Sequence, residues 1–130
     1  LLLGIHHALV VHGDGGLDEI STSGDTEVWE VTEEKVSRWT MQVEETGLPR
    51  SSIEEIRGGG KEENAATMRR IFQGEPGPIR DVVLLNSAGV LLAGDLVETM
   101  SQGVQRAAQV VDSGAALAKL EALVAVSQGP

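Results

Sequence analysis

The stretch ALVVHGDGGLDEI, residues 8–20, determines the fold prediction for the chain. It begins with a short apolar, partly β-branched run that is ended by glycines, and such a run predicts a buried strand over residues 8–11. Two adjacent carboxylates, Asp18 and Glu19, follow the glycines. In a regular strand their side chains would point to opposite faces. Only a turn, or the first turn of a helix, lets both reach one ion, and the glycines permit such a turn.

The position of Asp18 and Glu19 distinguishes them from the other acidic pairs of the chain. Those pairs are expected to be solvated surface residues: Glu33-Glu34, Glu44-Glu45, Glu54-Glu55 and Glu62-Glu63. Asp18 and Glu19 come just past the carboxyl end of a predicted strand, where open α/β sheets bind ligands. Paired carboxylate oxygens suit Mg²⁺. Spacing alone leaves two interpretations open, a Mg²⁺ site or a carboxylate pair that caps backbone amides.

A β-hairpin is predicted next along the chain. Strands over residues 27–31 and 36–43 are joined by a turn over residues 32–35, although this turn has no glycine. From residue 51 the pattern becomes helical. Ser51 and Glu54 are spaced as a capping box before a short helix that ends near residue 57.

The second half of the sequence predicts helices. They cover about residues 62–73, 81–93 and 115–126, with a further amphipathic helix before the break at Ser113-Gly114. The inward residues are expected to be Ala65, Met68 and Phe72 in the first of these helices, and Met100, Val104, Ala107, Ala108 and Val111 in the amphipathic one. The predicted class is therefore α/β, with a strand, a hairpin and then several helices. This helical half would need more sheet than three strands provide.

Composition limits the partners of the chain. Its 130 residues include 10 basic and 20 acidic side chains, for a net charge of −10. This balance argues against nucleic acid, which requires clustered Lys and Arg, and against anionic membranes. The chain has no cysteine, which excludes disulfides and thiolate metal sites and fits a reducing cytoplasm. No run approaches the roughly 20 apolar residues of a membrane span.

Other candidate sites are weaker. Gly58, Gly59 and Gly60 before Lys61 fail the phosphate-loop pattern, because the position five before Gly60 is not glycine and no Ser or Thr follows the lysine. These glycines predict a flexible joint between helices. The three histidines do not form a spaced metal set, and His12 is expected to be a hydrogen-bonded structural residue rather than a catalytic base. Asn86 is expected to be a satisfied core amide, with substrate contact as the alternative.

Five blocks of the sequence together resemble one enzyme family. They are HGDGGLDEI (12–20), GLP (47–49), RGGGKEENAA (57–66), RDVVLLNSA (80–88) and DSG (112–114). In this order they resemble the C-terminal part of the anthranilate phosphoribosyltransferases, and the resemblance covers about residues 4–127. HG-x-x-GLDE is the most specific block.

The resemblance implies a function. Members of this family transfer the phosphoribosyl group of phosphoribosyl pyrophosphate to the amine of anthranilate, releasing pyrophosphate, in tryptophan biosynthesis. Mg²⁺ is required, and the adjacent Asp and Glu of the motif are its ligands, which carries over to Asp18 and Glu19. The family fold combines a small helical domain with a larger α/β domain, and homodimers form through the helical domain. Because the substrate supplies the nucleophile, no catalytic residue is expected in this chain.

Several family elements are absent from the sequence. They are the glycine-rich Gly-Thr-Gly-Gly-Asp loop, a Lys-His-Gly-Asn segment and the arginine that meets the anthranilate carboxylate. The resemblance therefore implies that residues 1–130 are the C-terminal portion of a nucleoside phosphorylase/phosphoribosyltransferase-like catalytic α/β domain, inactive alone. The alternatives are a pyrimidine nucleoside phosphorylase-like enzyme of related fold and a non-catalytic binding paralogue. The acidic balance and the intact Asp18 and Glu19 argue against the paralogue.

Overall fold

A computed structural model describes residues 4–129 and shows a three-stranded antiparallel sheet followed by helices. The sheet order is β1-β2-β3, and the strands are β1 (His7–Gly13), β2 (Thr26–Thr32) and β3 (Val36–Met41). The helices are α1 (Lys61–Phe72), α2 (Pro78–Ala93), α3 (Met100–Asp112) and α4 (Ala115–Ser127). The predicted class and element order are confirmed.

The helices cover one face of the sheet, and the strand register determines which side chains point to that face. Val28 in β2 pairs with Val11 in β1 and with Trp39 in β3. Because opposed residues point to the same face, these three side chains turn together toward the core, where Val28 is only 1% exposed. The other face is open to solvent. There the Arg38 guanidinium lies 5.1 Å from the centre of the Trp29 ring, a cation–π contact.

The predicted hairpin is present without a glycine. The Thr32 amide donates to the Lys35 carbonyl over 2.9 Å. The Thr32 hydroxyl also accepts from the Lys35 amide over 3.3 Å, which supports the turn through a side chain. β3 ends at Met41, two residues before the predicted end, because a 3-10 turn begins at Val43.

The core is formed where α2 crosses α3. Leu85 and Ala88 of α2 are fully buried, and Gly103 of α3 packs directly on Ala88. The predicted stripe of α3 is confirmed, with Met100, Val104, Ala107 and Val111 buried and Ala108 partly buried. Full burial of a Leu, Val or Met side chain contributes about 1.5–3 kcal/mol. α2 contacts β1, and α3 contacts the turn that follows β3. These helices therefore hold the part of the sheet from which the loop after β1 begins.

Two local predictions are wrong. Residues 53–56 form turns rather than a helix, and the reciprocal capping pair is Ser52 with Glu55. Ser51 instead bonds Thr22, so a long-range partner takes the residue that local spacing assigned to the cap. In α1, Phe72 packs against the core as predicted, but Ala65 and Met68 are exposed and Ile71 is the buried residue, because only the last turns of this helix pack against the chain.

The last helix has little to pack against within the described residues. α4 contains no buried residue, although its sequence is mostly apolar. Leu123 and Val126 are 65% and 79% exposed. Within residues 4–129, no helix combines the length and apolar content that crossing a membrane requires. The helical half therefore presents more apolar surface than its own sheet covers, as the sequence predicted.

Candidate functional site

The acidic pair lies on a tight loop at the end of β1. A 3-10 turn, Asp14–Gly16, follows the strand, and Gly15 and Gly16 have φ angles of 71° and 85°. Such left-handed backbone favours glycine. The Gly13 amide then donates to the Leu17 carbonyl over 2.9 Å, which brings the chain back beside the strand end. The turn expected from the glycines is present, and it delivers Asp18 and Glu19 directly after it.

Two further glycines let the loop pack closely. A Cβ atom on Gly13 would approach the Glu19 carbonyl oxygen, and one on Gly24 would lie 2.5 Å from Asp14 Cβ. Both glycines are buried. The glycines of this region therefore have two different roles, since Gly15 and Gly16 permit the turn and Gly13 and Gly24 permit close approach.

Ile20 anchors the loop to the core. Its side chain is 4% exposed, and its backbone N–H donates to Asn86 Oδ1 over 3.0 Å. Asn86 Nδ2 donates in return to the Ile20 carbonyl over 2.8 Å. The prediction that Asn86 is a satisfied amide is confirmed, and its partner is the residue immediately after the acidic pair.

Asp18 and Glu19 are themselves exposed. Across residues 4–129, neither carboxylate accepts a hydrogen bond or joins an ion pair. The interpretation that the pair caps backbone amides is therefore not supported by any contact of the described chain. Glu19 lines two neighbouring cavities of about 370 and 360 Å³, and Asp18 lines neither.

The glycine-rich stretch contributes to the walls of the same two cavities as Glu19. Gly58 and Ile56 line both of them. Asn64, in the first turns of α1, accepts from the Gly59 amide over 2.8 Å and donates to the Gly59 carbonyl over 2.9 Å. Asn64 therefore holds the glycines in an ordered loop, whereas the sequence predicted a flexible joint between helices. In the described chain a helix follows this loop, and turns precede it. The sequence signal for this ordered loop was Asn64, a side-chain amide five residues after Gly59.

The histidines do not join the acidic pair. His7 lies between two carboxylates, with Nδ1 2.8 Å from Asp95 and Nε2 3.0 Å from Glu30. The hydrogen bond to Asp95 chiefly raises the pKa of His7, burial opposes the rise, and Glu30 adds to it. His12 is exposed, and no described residue bonds its ring. The prediction that His12 is a hydrogen-bonded structural residue thus finds no support.

The two carboxylates of the loop suit a hydrated magnesium ion, and they do not by themselves form a complete metal centre. In the part of the chain that is described, no cluster of three or more His, Asp and Glu side chains could hold an ion. Mg²⁺ commonly takes one or two carboxylates and fills its remaining positions with water and substrate phosphate. Two exposed carboxylates that bond no other described residue meet that requirement. They would hold a hydrated, substrate-bridged cation rather than a buried one.

The chain is similar to a family of known enzymes. A model described as the glycosyl transferase family, a/b domain, matches residues 1–117. The chain is 46% identical over 126 residues to the anthranilate phosphoribosyltransferase of Dehalococcoides mccartyi. The aligned part is 95% of this chain and 37% of that protein. The chain thus spans little more than a third of the length of this relative.

Solved structures agree with the sequence comparison. Anthranilate phosphoribosyltransferase from Thermus thermophilus superposes with a TM-score of 0.83 and 39% identity, over 92% of this chain and 35% of that one. The Saccharomyces cerevisiae enzyme in complex with PRPP and Mg superposes with a TM-score of 0.77 and 26% identity, over 87% of this chain and 33% of that one. The resemblance drawn from the five sequence blocks is confirmed.

Proposed function

The chain belongs to the glycosyl transferase family, and we propose that it forms the cation-binding part of an anthranilate phosphoribosyltransferase. The single observation that supports this most is the position of Asp18 and Glu19. They are exposed, their carboxylates bond no residue between 4 and 129, and they lie on a loop whose shape is set by glycines and by contacts with the core. The whole protein would transfer phosphoribosyl from phosphoribosyl pyrophosphate to anthranilate in cytoplasmic tryptophan biosynthesis.

We propose further that residues 1–130 are the C-terminal portion of the catalytic α/β domain. This relative is much longer than the chain, since the aligned part is only 37% of the Dehalococcoides protein. The exposed apolar side chains of α2 and α4, Val90 at 73% and Val126 at 79%, offer surface for the remainder of such a protein. The helical domain, the glycine-rich diphosphate loop and the homodimer contact would all lie in that remainder.

The carboxylates would act by holding a divalent cation at a polyanionic substrate. Without a cation, each carboxylate about 5 Å from a phosphate charge would repel it by roughly 3 kcal/mol at an effective dielectric constant of about 20. The net charge of −10 adds to this repulsion at long range. A Mg²⁺ ion held there would supply positive charge that offsets this repulsion and favours departure of the pyrophosphate. Asp18 and Glu19 would provide its protein ligands.

The proposed reaction does not require a nucleophilic side chain, because the substrate amine is the nucleophile. The anthranilate amine attacks C1 of the ribose, the C1–N bond forms, and the C1–O bond to pyrophosphate breaks with its electron pair. The amine proton leaves to solvent or to a base elsewhere in the protein. The described residues would therefore bind and orient the diphosphate end.

A magnesium titration of the protein at its full encoded length tests the assignment. The double variant Asp18→Asn with Glu19→Gln should require at least tenfold more Mg²⁺ for half-maximal turnover of anthranilate and phosphoribosyl pyrophosphate. The matched control is Glu33→Gln with Glu34→Gln, an adjacent carboxylate pair on the hairpin turn, which should titrate like the wild type. Equal magnesium requirements in the two double variants would exclude Asp18 and Glu19 as ligands.

The proposed domain assignment has a separate test. The isolated 130-residue chain, supplied with both substrates and Mg²⁺, should show no turnover above background, because the diphosphate loop would be missing. Turnover by this chain alone would show that these 130 residues suffice for catalysis and would contradict the assignment.

A further inference from the structure

We propose that Asn86 is a positioning residue for the acidic pair, acting through the backbone of Ile20. This inference rests on the proposed function, in which Asp18 and Glu19 hold a divalent cation. The Asn86 side chain lies on α2, whereas the carboxylates lie on the loop after β1, so the contact joins the candidate site to the core across 66 positions of sequence. Asn86 is thus argued to act through Ile20, without touching the cation itself.

The Asn86 amide uses its hydrogen-bonding groups in a way that fixes its orientation. Oδ1 accepts from the Ile20 amide over 3.0 Å. Nδ2 donates to the Ile20 carbonyl over 2.8 Å and to the Val82 carbonyl over 3.0 Å. An amide has one carbonyl oxygen and two N–H donors, and all are engaged. Because the bond to Val82 ties the side chain to its own helix, the Ile20 backbone is held at a set position relative to α2.

The same helix also holds the Ile20 side chain. Gly89 follows Asn86 by three residues, which places it on the same face of α2. A Cβ atom on Gly89 would lie 2.7 Å from Ile20 Cδ1, so the side chain occupies the space that this glycine leaves. α2 therefore holds Ile20 through both its backbone and its side chain.

The residues after Ile20 are fixed by other elements, whereas the side chains of the acidic pair before it are not. The Ser21 amide donates to the Thr26 hydroxyl over 3.1 Å, and the Thr22 hydroxyl lies 2.6 Å from Ser51 Oγ. On the other side, the carboxylates of Asp18 and Glu19 meet no described partner. Leu17 is held before the pair by its bond to Gly13, and Ile20 is the tightly held residue after it, so the position of Ile20 limits where Glu19 can lie.

This arrangement affects cation binding through preorganisation. Two carboxylates reach one ion only if the loop keeps them on the same side, and sites of this kind need their ligands held to within about 0.5 Å. Releasing Ile20 would let the pair separate, and the cation would then have to order the loop on binding. The effect should appear in metal affinity, with activity at saturating metal largely retained.

The experiment compares Asn86→Leu with the wild type in the protein at its full encoded length. The leucine side chain has approximately the shape of the asparagine side chain, and it cannot form either hydrogen bond to Ile20. Mn²⁺ binding, followed by the electron paramagnetic resonance of the free ion, should weaken about tenfold. Hydrogen exchange of the Ile20 amide should become faster. Turnover at saturating Mg²⁺ should stay within about threefold, and the Mg²⁺ concentration for half-maximal rate should rise in step with Mn²⁺ affinity.

Two further variants keep the test decisive. Ser87→Ala removes a bond of similar length from the same helix, that from Ser87 Oγ to the Val83 carbonyl at 2.7 Å, without touching the loop, and it should bind Mn²⁺ like the wild type. If Asn86→Leu does not fold, Gly89→Ala replaces it. The alanine methyl should displace the Ile20 side chain and weaken Mn²⁺ binding several-fold, while alanine is favourable within a helix.

The outcomes separate this inference from the proposed function. Weakened Mn²⁺ binding in both Asp18→Asn/Glu19→Gln and Asn86→Leu supports both. Weakened binding in the first variant alone, with Asn86→Leu or Gly89→Ala at wild-type affinity, overturns the positioning role and leaves the metal ligands in place. Unchanged binding in Asp18→Asn/Glu19→Gln overturns the ligand assignment, and with it the role given to Asn86.

Discussion

The carbonyl oxygen of Glu19 lies 2.5 Å from the position that a Cβ atom on Gly13 would occupy. Gly13 has φ −76° and ψ 159°, which any residue adopts, so the requirement for glycine is one of space. The opposing atom belongs to the backbone and cannot rotate away. Gly13→Ala should therefore shift the loop and lower the free energy of unfolding by about 1–3 kcal/mol, as overpacked sites do. Urea denaturation measures this change.

The control for Gly13→Ala is Gly60→Ala. A Cβ on Gly60 would meet no atom within 4 Å, and the backbone φ there is −69°. Its cost should stay below about 1 kcal/mol, the usual difference between helix-capping residues. Equal losses in the two variants would show that the Glu19 carbonyl does not restrict Gly13.

Gly103→Ala tests the contact between α2 and α3. A Cβ on Gly103 would lie 2.7 Å from Ala88 Cβ and 2.8 Å from its Cα. Alanine gains about 1 kcal/mol over glycine within a helix, but overlap with a packed backbone costs about 1–3 kcal/mol. We expect a net loss of stability, measured as a lower urea midpoint. Gln105→Ala, at an exposed position of the same helix, should retain the wild-type midpoint, and a stabilised Gly103→Ala would contradict the close packing.

The stability of the protein should depend on pH through His7. Its pKa is raised because Asp95 and Glu30 accept hydrogen bonds from the ring, although burial opposes the rise. A group whose pKa is higher in the folded state stabilises fully below its unfolded pKa, about 6.5 for histidine. That stabilisation is lost as the pH rises through the folded-state pKa. Urea midpoints measured at a series of pH values should therefore fall across this range.

Variants identify the source of that pH dependence. His7→Gln should flatten the profile, and Asp95→Asn should reduce it, since Asp95 makes the largest contribution to the pKa of His7. Trp39 Nε1 donates to the second oxygen of Glu30 over 3.1 Å, so tryptophan fluorescence reports on the same group. His6→Gln changes an imidazole that is 85% exposed and should keep the wild-type slope. A pH slope that survives in His7→Gln would point to another group.

Asn64→Ala should loosen the glycine loop without unfolding the protein. It removes two bonds to the Gly59 backbone, of 2.8 and 2.9 Å. Because these groups are exposed, the loss of stability should be only about 0.5–1.5 kcal/mol, whereas the Gly59 amide should exchange clearly faster. Arg69→Ala, at another exposed position of α1, serves as the control. Unchanged exchange at Gly59 would show that Asn64 does not hold the loop.

Local patterns determined the elements of this fold. Alternating and apolar runs located three strands, and helical periods located four helices, because backbone geometry spaces side chains regularly. The same patterns failed where a distant partner competed. Spacing assigned a cap to Ser51, but Thr22 binds it. Periodicity directed Ala65 and Met68 inward, but the first turns of α1 have nothing to pack against in the described chain.

By itself, the sequence determined that a strand ends in a glycine turn carrying Asp18 and Glu19, and that no thiolate or basic surface competes for a role. Only the tertiary structure decided what holds that turn. Asn86 and Gly89 meet Ile20 from a helix more than sixty positions away, and Gly13 makes room for the Glu19 carbonyl. Such contacts depend on how β1 and α2 pack together, and no local spacing of residues encodes that distance.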